Sequence, residues 1–219
     1  MNIKAAIFDM DGTLVDSLGY WDMLWNMLSK KYREGRPFVP NEQDAKAVRT
    51  LTLDGAMALI HAHYGMGSSA GEVLDIAESF LWEHYEKNVK PKAGVKEFLE
   101  ACLKNGTKMC VASASSREMV QFALKHCGLD SYFPEIFTCG EVGKGKEHPD
   151  VYRVAQAWLG SETEDTWVVE DSVTALKTAA GIGMPTVGVY DRYNPYQDVV
   201  RQISTVYVAE GENLCKLLD

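Results

Sequence analysis

The sequence has no run approaching the roughly 18 consecutive apolar residues that a membrane-spanning helix needs, so no membrane span is expected. It is also short of positive charge. Its 22 Lys and Arg stand against 31 Asp and Glu, a net charge of −9. That balance is a poor electrostatic footprint for nucleic acid or an anionic bilayer, and neither is expected as a partner. An anionic substrate would have to be drawn in by charge local to a site. The five cysteines, Cys102, Cys110, Cys127, Cys139 and Cys215, are odd in number and form no Cys-x-x-Cys pair. Cys102 and Cys110 lie in apolar patterns, so buried reduced thiols are expected there. The N-terminus has no basic region, long apolar stretch or cleavage site, so no signal peptide is expected and the cytoplasm is the expected compartment. There is no internal repeat and no low-complexity segment. Nothing signals oligomerisation, so a monomer is expected. What is present is enough apolar residue, 46% of 219, for one large domain or a core with a smaller one inserted.

The stretch Ala5-Ala6-Ile7-Phe8-Asp9-Met10-Asp11-Gly12-Thr13-Leu14 organises the rest. It begins as an apolar run, the pattern of a buried parallel strand. It ends with two carboxylates at i and i+2, which share a face in extended chain. Asp9 and Asp11 would therefore point into one small volume where the strand stops, and Gly12 can supply the positive φ of a sharp turn; an acidic turn after a strand is the ordinary alternative for the four residues Asp9-Met10-Asp11-Gly12. Two like charges buried together need relief from a cation or a shared proton. Magnesium is the usual ion for hard oxygen ligands beside phosphate.

Between residues 16 and 88 the pattern is helical, with helices expected over 18–32, 42–48, 54–63 and 70–88 and a break at Gly65-Met66-Gly67-Ser68-Ser69. Asp16-Ser17 is the expected start of the first. From Pro91 onward helix and strand alternate. Helices are expected over 94–105, 118–126, 149–159 and 174–181. Strands are expected over 108–112, 136–139, 167–169, 186–189 and 205–208. Alternation of this kind predicts an α/β fold with a parallel sheet, whose ligands bind at the carboxyl ends of the strands. The polar clusters fall at those ends.

Ser113 ends the strand over 108–112, where its hydroxyl and the following N–H groups, beginning with Ala114, are placed to hold a phosphate oxygen; a helix N-cap is the ordinary alternative for such a serine. Lys144 and Lys146 occupy a polar loop before Pro149-Asp150, and either is a compact cation for a phosphoryl group. Glu170-Asp171-Ser172 follows the apolar Trp167-Val168-Val169, and at the strand's end both acids can approach an ion.

In this order the four pieces resemble the motifs of the haloacid dehalogenase superfamily of phosphohydrolases. The resemblance covers nearly the whole chain. It is nearest the subgroup, including β-phosphoglucomutase and many small-molecule phosphatases, that carries a helical cap just after the first motif. It implies a Rossmann-like core from residues 1–15 and 89–219, a cap over 16–88, and hinges near 14–17 and 88–91. It implies Asp9 as nucleophile and Asp11 as general acid and base. Mg2+ would be held by Asp9, the Asp11 carbonyl, Asp171 and Glu170, and the phosphoryl group by Ser113, Ala114 and Lys146. The subgroup's lysine stands four before the Asp of Pro-Asp, which selects Lys146 over Lys144. Trp21 and Arg49 are the cap's candidate substrate contacts. By a gapless count Trp21 stands where the mutase has a cap histidine, which favours hydrolysis over a sugar phosphomutase. A receiver-like phosphoacceptor module is a third reading, disfavoured by the long helical insertion. The implied substrate is a small phosphorylated metabolite.

Overall fold

The short apolar runs become strands. They are β1 (Ala5–Phe8), β2 (Lys108–Ser113), β3 (Ile136–Thr138), β4 (Thr166–Glu170), β5 (Thr186–Val189) and β6 (Val206–Val208). The computed structural model describes residues 3–34, 40–48 and 51–218. All neighbouring strands pair in parallel, in the order β3-β2-β1-β4-β5-β6. This is a Rossmann-type sheet. β1 is central and buried along its whole length, because helices cover both faces of a parallel sheet and leave its middle strands no polar side. The chain runs outward from β1 to β2 and β3, then returns to place β4 on the other flank. That reversal creates a crevice at the carboxyl end of β1. Phe8 pairs with Val111 of β2 and Val169 of β4. The next residue, Asp9, therefore emerges level with the end of β4.

The helices are α1 (Tyr20–Tyr32), α2 (Glu42–Ala47), α3 (Leu53–Tyr64), α4 (Ala70–Lys87), α5 (Val95–Lys104), α6 (Arg117–His126), α7 (Cys139–Val142), α8 (Asp150–Leu159), α9 (Val173–Gly181) and α10 (Gln197–Ile203). α5 buries Val95, Phe98, Leu99 and Cys102, the stripe its 3.6-residue spacing predicts. α8 buries Val151, Tyr152, Ala155 and Leu159 into a cluster with Ile7, Cys110 and Val168. All five cysteines are free thiols, and Cys102, Cys110 and Cys139 are buried.

Two compact units are present, residues 1–17 with 89–219 and residues 18–88. Asp16 and Ser17 belong to the first unit through their bonds. The Asp16 N–H donates to the Lys90 carbonyl at 2.9 Å, and the Ser17 hydroxyl is engaged with Asp11. This is why α1 starts later than the sequence pattern suggests, at Tyr20 after Gly19. The second unit has its own core, in which Leu24, Trp25 and Leu28 of α1 meet Met57 and Ile60 of α3 and Val73 and Ala77 of α4. Thr52 and Ser69 cap α3 and α4. Glu72, three residues after the Ser69 cap, accepts from the Ser68 N–H and hydroxyl and from Tyr32 Oη at 2.6 Å. Two helices escape the sequence pattern. α7 takes Cys139 out of the β3 strand, because Thr138 caps it by accepting from Glu141 N. α10 spans seven residues and buries only Val200, too little for a periodic signal.

Candidate active site

Immediately after β1 the chain makes a tight loop. The Leu14 and Val15 N–H groups both donate to the Met10 carbonyl, and Gly12 takes φ 79°. A side chain at Gly12 would be strained in that conformation. The loop holds Asp9 and Asp11 at the β1 end. Asp9 is buried, and its N–H donates to the Val169 carbonyl of β4 at 2.9 Å. The Asp11 carboxylate is tied at both oxygens. Ser17 Oγ donates to one at 2.6 Å and Ser115 Oγ to the other at 2.8 Å.

Lys146 enters from the loop before α8. Its ammonium donates to Asp9 Oδ1 and, at 2.6 Å, to Glu170 Oε1. Lys144 turns elsewhere and pairs with Asp150 at 3.1 Å near the surface. Glu170 closes β4, and its second oxygen accepts from the Ser172 N–H at 2.8 Å. Each of Asp9, Glu170 and Asp171 offers an oxygen, and the three oxygens lie within 4.8 Å of one another. All three residues are buried. Burial, reinforced by Glu170, pushes the Asp9 carboxyl up against the pull of Lys146. Asp171 is pushed well up by burial, then by Glu170 and Asp9. For Lys146 burial acts downward, but the Asp9 and Glu170 carboxylates together outweigh it and hold the ammonium well above its ordinary range. Three clustered carboxylates with one ammonium between two of them leave an excess of negative charge in a buried space. A hard divalent cation fits that donor set and that excess.

Ser113 ends β2 fully buried, and its hydroxyl accepts from Ser115 N at 3.0 Å. The cap of α6 is Ser116, which accepts from Met119 N, so Ser113 is not spent as a cap. Ala114 follows it, exposed. Trp21 is half-buried in the helical unit, its ring edge-on to Tyr20 with centroids 5.5 Å apart. Arg49 lies outside the described residues. Sequence reasoning missed the hold of Ser17 and Ser115 on Asp11. It also missed Lys92, Asp191 and Asn194, which join the loop after β1 and the Asp171 peptide through hydrogen bonds. None of these sits in a local pattern that names its partner.

A family model described as haloacid dehalogenase-like hydrolase matches residues 6–189. The chain belongs to the haloacid dehalogenase-like hydrolases. Several curated relatives of this hydrolase are named as phosphatases. It is 26% identical over 227 residues to hexitol phosphatase A of Escherichia coli, covering 97% of each chain. It is 25% identical over 194 residues to the pyrophosphatase PpaX of Bacillus mycoides, covering 86% of this chain and 84% of that one. The crystal structure of a candidate β-phosphoglucomutase from Thermotoga maritima superposes with a TM-score of 0.80 at 21% identity, over 98% of both chains, and shares the fold. Among the described residues, no helix of this hydrolase is long and apolar enough to cross a membrane.

Proposed function

We propose that this hydrolase is a magnesium-dependent phosphatase that cleaves a small organic phosphate monoester through an aspartyl phosphate at Asp9. The observation that carries this reading is the meeting of Asp9, Glu170 and Asp171 with Lys146 at the carboxyl ends of β1 and β4. Asp9, Glu170 and Asp171 would hold the ion with the Asp11 carbonyl. Bound there, magnesium supplies charge neutralisation for a carboxylate facing a phosphate dianion.

The chain's own residues do the rest. An Asp9 oxygen forms a bond to phosphorus as the bond to the leaving oxygen breaks, and protonated Asp11 gives that oxygen its proton. Asp11, now a carboxylate, takes a proton from water as the water oxygen bonds to phosphorus. The acyl phosphate bond then breaks, which frees Asp9 and releases inorganic phosphate. Lys146, Ser113 and the Ala114 N–H orient the nonbridging oxygens; phosphoryl transfer depends chiefly on such positioning and charge. The hydroxyls of Ser17 and Ser115 set the direction of the Asp11 carboxylate. Substrate choice is assigned to the helical unit acting as a cap, with Trp21 and Arg49 as its candidates. The relatives' names, one a hexitol phosphatase and one a pyrophosphatase, set the range to be tested.

The test is a phosphate-release screen over sugar phosphates, nucleotides, phosphoglycolate and pyrophosphate, with Mg2+ and with EDTA. Release from a monoester with Mg2+, lost in EDTA, is expected. Undiminished release in EDTA overturns the metal, and release from pyrophosphate alone overturns the monoester.

A further inference from the structure

Asp191 lies just past β5, and its carboxylate is 1% exposed. A buried carboxylate needs a partner, and this one has Lys92 at 2.8 Å, whose own side chain is 17% exposed. The Lys92 ammonium also donates to the Tyr190 carbonyl at 2.7 Å, and the Tyr193 N–H donates to the other Asp191 oxygen at 2.8 Å. None of these groups enters the phosphoryl chemistry above. A buried ion pair is weak evidence for stability, because desolvation offsets most of its attraction.

The pair is nonetheless wired to the acid cluster on two sides. The Lys92 N–H donates to the Leu14 carbonyl at 2.9 Å, and Leu14 belongs to the loop that carries Asp9 and Asp11. On the other side, Asn194 N donates to the Asp191 carbonyl at 3.0 Å. The Asn194 side chain then donates to the backbone carbonyl of Asp171 at 2.7 Å. One turn, residues 191–194, thus grips the peptide of a cluster carboxylate and seats a further buried acid beside it. The two side chains carry opposite charges, so they act in opposite senses on a cation held by the cluster.

We infer that Lys92, Asp191 and Asn194 form an outer brace of the carboxylate cluster, Asn194 fixing Asp171 in place and the Lys92–Asp191 pair setting how strongly the cluster attracts a divalent cation. These are positioning residues, and the inference rests on the magnesium reading above. Outer partners of metal ligands are commonly worth about 10- to 100-fold in metal affinity.

The experiment is Mg2+ titration by isothermal calorimetry on the purified full chain, without substrate. Asn194→Ala is expected to weaken binding about tenfold. Asp191→Asn removes a negative charge and also weakens it. Lys92→Met removes the opposing positive charge and tightens it several-fold. The double variant Lys92→Met/Asp191→Asn returns it close to wild type. That sign reversal separates a field effect from mere structural damage, which weakens binding in every variant. Should Lys92→Met fail to fold by circular dichroism, Asn194→Ala and the double variant decide the matter. Wild-type affinity in Asn194→Ala, or weakening by Lys92→Met equal to that by Asp191→Asn, overturns the inference alone. No Mg2+ binding by the wild-type protein overturns the metal reading, and this inference with it.

Discussion

Ser115 Oγ donates to Asp11 Oδ2 at 2.8 Å, joining two residues 104 positions apart in the chain. Ser17 holds the other oxygen of the same carboxylate. In the proposed reaction Asp11 first gives and then takes a proton, a task that needs a fixed direction more than a deep pocket. Ser115→Ala is therefore expected to lower kcat about tenfold with KM nearly unchanged, the loss of one hydrogen bond to a charged group. Asp11→Asn is expected to cost more, about 10²- to 10⁴-fold. Steady-state kinetics on the best substrate of the screen checks both. A KM effect with intact kcat contradicts the assignment.

Burial and Glu170 raise the Asp9 carboxyl up to about 7, and Asp171 is raised too. A carboxyl whose pKa is higher folded than unfolded binds more protons in the native state. Metal-free stability therefore falls as pH rises from about 4 to about 7. Magnesium held there as proposed would have to displace those protons, so its binding should strengthen over the same range. The rise in Tm caused by Mg2+ should be small at pH 5 and large at pH 8. A rise independent of pH contradicts this.

Glu72 acts in the opposite sense. The Ser68 hydroxyl, then Tyr32 and the Ser68 N–H, hold its carboxyl down to about 2. A depressed folded pKa gives stability that is present above the unfolded value of about 4.5 and is lost as pH falls toward about 2. Urea unfolding of the full chain between pH 5 and pH 2 should decline less steeply for Glu72→Gln than for wild type. Parallel declines contradict it.

Tyr152 Oη is buried and, among the described residues, finds no hydrogen-bond partner. Removing an unsatisfied buried hydroxyl relieves a desolvation cost. Tyr152→Phe should leave the Tm unchanged or raise stability by up to about 1 kcal/mol. A clear loss in thermal denaturation shows that the hydroxyl is engaged.

The sheet was legible because its strands are continuous apolar runs ending in polar residues, as Ile7-Phe8-Asp9 and Val168-Val169-Glu170 show. Asp9 and Asp11 were legible as a pair because strand geometry puts i and i+2 together. Other features depended on distant partners. Ser17 reads locally as a helix start, yet its hydroxyl goes to Asp11. Lys146 and Lys144 are equivalent in composition, and only the resemblance separated them before the structure placed one on Asp9 and the other on Asp150. Lys92 and Asp191 belong to no motif and lie far apart in the chain, and only the fold brings them together.

The central claim is that the Asp9 carboxylate takes up the phosphoryl group. It is tested most directly by quenching the enzyme during turnover of a radiolabelled phosphate substrate with Mg2+ and mapping the labelled peptide. Acid-quenched label is predicted on the peptide containing Asp9, absent in Asp9→Asn, which should also release no phosphate. Label on another peptide, or wild-type turnover by Asp9→Asn, contradicts the account.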